Sequence, residues 1–259
     1  MKNKKFYAIL VAIMLFACGF ATAQTETYLN FGLSLPTGDF ADGEGNDFAL
    51  FPFNGFRSKE GGAGVGASLG FKFKFPSKTK GLGVLLSVDG IYNGLNKDVK
   101  DYFEEYSDYQ GEEWDDFTLR KPRYINVPVL VGLNYCFDAN DNLGIYGEAG
   151  IGLDARFITS YCEEMESSDS DWSREISNTY KFDPAVAFAF QLGAGILIND
   201  RFTLGVNLYN LGSAKVEGKC TCKWKEYQYG YYDSDSEKSK FKGKSLSTTM
   251  VLFRFGIKL

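Results

Sequence analysis

From Tyr28 onward, apolar residues recur at every second position in segment after segment. This period of two constrains the fold more than any other feature of the chain. A strand turns successive side chains to opposite faces, whereas a helix needs apolar residues three and four apart. Outside the N-terminal leader, no helix of any length is expected. The alternation predicts eight strands, at 28–36, 63–75, 82–92, 123–137, 143–157, 184–198, 201–211 and 246–259. Each reaches or nears the ~9–11 residues with which a tilted strand crosses a bilayer. No linker or repeat interrupts the series, so residues 24–259 are read as one domain.

Sorting by parity separates two unlike faces. One carries Leu29, Phe31, Leu33 and Leu35 in the first strand, and Val251, Phe253, Phe255 and Ile257 in the last, with no charge on any strand. The other holds many glycines, among them Gly70, Gly132, Gly193, Gly195 and Gly205, with Lys72, Lys74, Asp89, Glu148, Asp154, Arg156 and Arg254. In a soluble barrel or sandwich the apolar face is the core. In a membrane barrel it meets lipid and the second face lines the lumen. Glycine weakens a strand, so a water-facing surface gains nothing from it. A lumen of eight strands is filled by side chains, and there glycine makes room for Tyr28, Tyr146, Tyr209 or Arg156. The seven charges are then expected to form a structural network, because buried charges need partners.

The ends and connections agree. Lys2, Lys4 and Lys5, the apolar run Tyr7 to Ala17, and Ala21-Thr22-Ala23 before Gln24 read as a cleaved signal peptide over 1–23. Leu15-Phe16-Ala17-Cys18 offers a second reading, a lipid-anchored Cys18. After Gln24 no run approaches the ~20 apolar residues of a spanning helix. Short connections (76–81, 138–142, 199–200) alternate with long ones (37–62, 94–121, 159–182, 212–245). That asymmetry is the outer-membrane pattern. The expected fold is all-β: an eight-stranded antiparallel up-and-down transmembrane β-barrel with long extracellular loops, surrounded by outer-membrane lipid.

Leu35-Pro36-Thr37-Gly38-Asp39-Phe40, Tyr124-Ile125-Asn126-Val127-Pro128-Val129-Leu130, Tyr146-Gly147-Glu148-Ala149-Gly150 and Asn199-Asp200-Arg201-Phe202-Thr203-Leu204 stand in this order along the chain. With Gly193-Ala194-Gly195 they make the chain resemble the small outer-membrane β-barrel (porin-like) family of Gram-negative bacteria. The resemblance implies insertion by the barrel-assembly machinery. Such barrels often end in an aromatic residue; this chain ends in Leu259, with the alternation of Val251 to Leu259 kept.

The chemistry is mostly negative. The chain has no histidine, so outer-membrane hydrolases and acyltransferases lose their usual base. No catalytic residue, metal site or cofactor is assigned. Asp138 to Asn142 lacks the glycine and terminal glutamate of a calcium loop and reads as a turn. An acidic balance argues against nucleic acid as a partner. Without Lys2, Lys4 and Lys5 the chain has 25 basic and 33 acidic residues, a net −8. Nearly all of it lies in the loops.

Four cysteines follow the leader. A bridge from Cys162 to Cys220 or Cys222 is expected, with a Cys220–Cys222 bridge or free thiols as alternatives; Cys136 falls at the other end of the barrel. Loop 94–121 is acidic and aromatic and loop 212–245 has eight lysines, its alternation suggesting a hairpin that turns near Asp233 to Glu237. Acidic loops two and three are expected to pair with loop four in a cap. Trp114, Trp172, Trp224, Tyr227, Tyr229 and Tyr231 are the candidates for an extracellular ligand. Three functions follow: a non-enzymatic structural or partner-binding barrel, a narrow pore for small solutes, and an exported soluble or lipid-anchored binder.

Overall fold

The structure, a computed structural model, describes residues 25–259 apart from 45, 51, 53–55, 57 and 170. The expected signal peptide and Cys18 lie outside the described residues. The strands are β1 (Glu26–Thr37), β2 (Ala63–Pro76), β3 (Leu82–Leu95), β4 (Asp116–Arg120), β5 (Tyr124–Asn140), β6 (Leu143–Ile158), β7 (Tyr161–Asp169), β8 (Trp172–Phe182), β9 (Ala185–Ile198), β10 (Phe202–Gln228) and β11 (Tyr231–Lys258), with a helix, α1 (Lys97–Glu113), after β3. All pairings are antiparallel. The order is β11-β1-β2-β3-β5-β6-β9-β10, and β10 returns to β11, closing a ring of eight. Closure leaves no sheet edge in the barrel and pairs its backbone groups between strands, as hydrocarbon demands.

The parity prediction holds. Phe31, Leu33, Leu69, Val131, Leu133, Ile151, Leu192 and Phe253 are exposed on the outside, while Asn30, Lys72, Asp89, Glu148, Asn207 and Arg254 are buried within. An apolar belt around a polar interior is the reverse of a soluble barrel, so lipid is its solvent. One end is closed by tight connections. Asn199 and Asp200 both take positive φ (50° and 54°), tolerable for these residues, and Arg201 N–H closes the turn on Ile198 O at 3.0 Å.

The other end departs from the expectations. β10 and β11 run 27 and 28 residues, far beyond the barrel. Above a register break between Asn210 and Ser213, β10 leaves β9 and pairs with β8 instead, over Gly218 to Gln228. β8 pairs with β7 and β7 with β4. The long loops therefore build a five-stranded wall, β11-β10-β8-β7-β4. Its hairpin turns at Tyr229-Gly230, not near Asp233 to Glu237, because Gly230 (φ 86°) supplies the left-handed residue that a two-residue turn requires.

The expectation of no helix is also overturned. Asn96 caps α1, its side chain accepting Val99 N–H at 2.9 Å. Val99, Tyr102, Phe103 and Tyr106 are spaced three and four apart, and Val99 and Phe103 are fully buried. Eight acidic side chains between Asp98 and Asp115 obscure that stripe in the sequence. The described residues between β1 and β2 fold over the barrel mouth. Phe40, Phe48, Leu50 and Phe56 are buried there and join Phe103, Tyr124, Tyr161 and Leu246 in one apolar core.

Candidate functional site

Two regions concentrate polar chemistry: the lumen and the wall above it. In the lumen the seven predicted charges all point inward and are all buried. They form three tiers rather than one network. Nearest the tight turns, the Lys74 ammonium lies 4.7 Å from the Tyr28 ring centroid and 4.9 Å from that of Tyr146. Tyr146 fits because Gly195 and Gly205 face it. A Cβ at either would stand within 2.6 Å and 2.3 Å of its hydroxyl. The glycines thus do make room for a large neighbour.

The middle tier holds Lys72 paired with Glu148, and Arg254 paired with Asp89 at 2.6 Å. Asn207 Nδ2 donates to Glu148 at 2.5 Å, and Tyr209 O–H donates to Asp89 at 2.8 Å beneath the Arg254 guanidinium. The outer tier is Arg156, 3.8 Å from Asp154. Its closer bonds run to Asn126 Oδ1 (3.2 Å) and to the carbonyl of Leu246 (2.9 Å). Arg156 also borders a cavity of about 10 Å³ between the barrel and the wall, room for about one water. Two ion pairs locked side by side, roofed by an apolar core, give a filled interior.

In the wall, Glu163 on β7 is buried and accepts from the Tyr161 hydroxyl. Burial pushes its carboxyl above the ordinary range, while hydrogen bonds from Tyr161, Asn178 and Tyr106 pull the other way. The described cysteines are free thiols. Cys162 sits opposite Thr179 on one face of the wall, whereas Cys220 and Cys222 sit opposite Tyr180 and Asn178 on the other. With β8 standing between, the Cα atom of Cys162 is about two strand spacings, ~10 Å, from that of either, beyond the reach of a disulfide. The expected Cys162 bridge is corrected on that ground. Cys136 lies at the far end of the barrel beside Gly144.

The family model described as "Outer membrane protein beta-barrel domain" matches residues 8–256. The chain belongs to that family. Its place is the cell outer membrane. None of the curated proteins compared matches it. Among solved structures it is similar to the outer membrane protein OprG from Pseudomonas aeruginosa (11% identity, 90% of this chain and 95% of that one, TM-score 0.37). Ail, the attachment invasion locus protein of Yersinia pestis, shows 11% identity over 89% and 97%, with TM-score 0.31. A major outer membrane protein from Thermus thermophilus shows 8% over 91% and 100%, with TM-score 0.32. Similarities this distant carry no argument about function.

The predicted ligand residues of this outer membrane barrel divide into two groups. Trp114 ends α1, its N–H bonding Gln110 O at 3.0 Å. Trp172 Nε1 donates to Glu226 at 3.1 Å, and Trp224 is half-buried opposite Ile176. Trp172 and Trp224 thus belong to the wall, and Trp114 to the end of α1. Tyr229 and Tyr231, 76% and 82% exposed, stand free at the hairpin tip with Tyr227 and Tyr232. The expected charge pairing of the cap is largely absent: Lys225–Glu175 at 2.6 Å is the one ion pair among the described residues that joins loop three to loop four. Aromatic contacts hold the cap instead, including Phe48–Phe103 at 5.7 Å and Phe56 stacked on Phe241 at 4.0 Å. Loop one supplies two of these rings, a part that strand alternation does not announce. Four phenylalanines between Phe48 and Phe56 were the signal.

Proposed function

We propose that this barrel is a non-enzymatic outer-membrane anchor that binds an extracellular partner through the hairpin tip. The observation that carries the reading is the tip itself. Tyr227, Tyr229, Tyr231 and Tyr232 crowd one two-residue turn, and none is drawn into the apolar core beneath. Tyrosine offers large contact area at low conformational cost, and a five-stranded wall gives it a stiff mount. The filled lumen supports the same reading, since it leaves the outer surface as the place where this chain meets other molecules. Outer-membrane lipid around the belt and the assembly machinery during biogenesis complete the set of partners.

The test compares the wild-type protein in lipid vesicles with a variant carrying Tyr→Ser at 227, 229, 231 and 232. Both are applied to an array of extracellular proteins and glycans. A ligand held by the wild type and lost by the variant, with heat-dependent gel mobility unchanged, supports tip binding. Equal retention of every ligand, or retention of none, rejects it.

A further inference from the structure

The lysines of loop four take almost no part in the cap, and their placement follows one rule. On β11, Asp233, Asp235 and Glu237 share a parity with Phe241, while Lys238, Lys240 and Lys242 hold the other. Phe241 packs on Phe56 and Phe182, which makes its parity the cap-facing one. The three lysines therefore face outward. On β10, Gly218 stands opposite Phe241, so Lys219 and Lys223 point outward too; on β8, Lys181 does so beside inward Tyr180 and Phe182. All six lie on the solvent side of the wall. Lys181, Lys219 and Lys240 are direct cross-strand neighbours in a single row.

Like charges set directly opposite destabilise a sheet. Of the lysines on this face, only Lys225 has a carboxylate within ion-pair distance among the described residues. Glu217 stands across from Lys242 on the same face, but the row Lys181, Lys219 and Lys240 has no carboxylate within ion-pair distance among the described residues. The same face, followed down β10 and β11 through the pair Ser213–Ser247, becomes Leu208 with Val251 and Val206 with Phe253, part of the apolar belt. A lipid whose acyl chains lie on that part of the belt carries its headgroup beneath the lysines.

We propose that the outward face of β8, β10 and β11 binds the phosphorylated headgroups of outer-leaflet glycolipid. Ammonium groups in a row suit several phosphates on adjoining sugars, and phosphate removes the repulsion that the row otherwise carries. The proposal rests on the barrel's insertion, not on the tyrosine tip, and fails or stands independently of it.

The experiment uses the wild-type protein in phosphatidylcholine nanodiscs, titrated with lipopolysaccharide and with the same material enzymatically dephosphorylated. The expected result is binding at least about tenfold tighter for the phosphorylated form, weakened strongly at about 1 M salt, where the screening length falls to ~3 Å. The triple variant Lys181→Gln, Lys219→Gln, Lys240→Gln is expected to lose that preference while keeping heat-dependent mobility. Should the variant fail to fold, the wild-type dephosphorylation and salt arms decide alone. Equal binding of both lipid forms, or a folded variant that binds as the wild type does, overturns the proposal. So does binding of soluble heparin with no binding of lipopolysaccharide, which would mark the face as a site for free polysaccharide.

Discussion

Arg254 reaches Asp89 at 2.6 Å with both side chains almost wholly shielded, and Tyr209 donates a second bond to the same carboxylate. Removing one member of such a pair leaves a buried charge without a partner, at a cost of about 3–5 kcal/mol; replacing both can cost little. Arg254→Met alone is therefore expected to destabilise the barrel by about 3–5 kcal/mol, and Arg254→Met with Asp89→Asn to recover half or more of that loss. Urea unfolding in vesicles measures both. Strictly additive effects would refute the pairing. Glu163 makes a different case, because its carboxyl is held above its ordinary range chiefly by burial. The folded wall then binds a proton more readily than the unfolded one. That contribution is full below the unfolded value and is lost as pH rises through the folded one. Glu163→Gln cannot ionise and keeps an acceptor for Tyr161. It is expected to stabilise the wall at neutral pH, with no gain at the acid end. Amide exchange of β7 across a pH series shows whether the gain appears and follows that direction.

Asn96 links two elements at once. Its carbonyl oxygen caps α1, and its amide donates to Ala41 O and Gly43 O at 3.0 Å each. A lost cap alone costs about 1 kcal/mol. Asn96→Ala should cost about 2 kcal/mol or more locally, because two loop carbonyls lose a donor as well. Protease cleavage within residues 38–62 should rise while the barrel keeps its gel mobility; unchanged cleavage would show that loop one is held without α1. The same boundary explains how much of the structure was legible. Outside β10 and β11, the barrel strands end within three residues of their predicted limits. Lipid on one face and a narrow lumen on the other force a strict alternation there, and the parity of Phe253 against Arg254 states it outright. The wall has water on one side and an aromatic core on the other, so Glu163 is buried and Lys240 exposed for reasons that lie in distant segments. Phe56 meeting Phe241, or β8 standing between Cys162 and Cys220, depends on pairings across tens of residues that no local pattern announces. The tip tyrosines were identified by type alone; their separation from the three tryptophans needed the fold.

At the scale of the whole molecule, the barrel divides into a filled shaft and a raised outer wall, and conduction depends on the shaft. An eight-stranded lumen is narrow enough for side chains to fill. Here Lys74 between Tyr28 and Tyr146, the pairs Lys72–Glu148 and Arg254–Asp89, and Arg156 bonded to backbone carbonyls occupy successive levels. An ion crossing the barrel would have to part a buried pair and then pass the apolar roof of Phe40, Phe48 and Phe56. Breaking a pair of that kind costs several kcal/mol, so opening is rare on the timescale of a channel recording. The wild-type protein in planar bilayers is therefore expected to give no reproducible unitary steps. The loss of the roof alone, by deletion of 41–60, should leave it silent, because the ion pairs below remain. Replacing Lys72, Glu148, Asp89 and Arg254 together by alanine in the roofless protein should produce small steps if the shaft is the barrier. Stable channels from the wild type would mean that the pairs part readily, and would return the narrow-pore reading to first place.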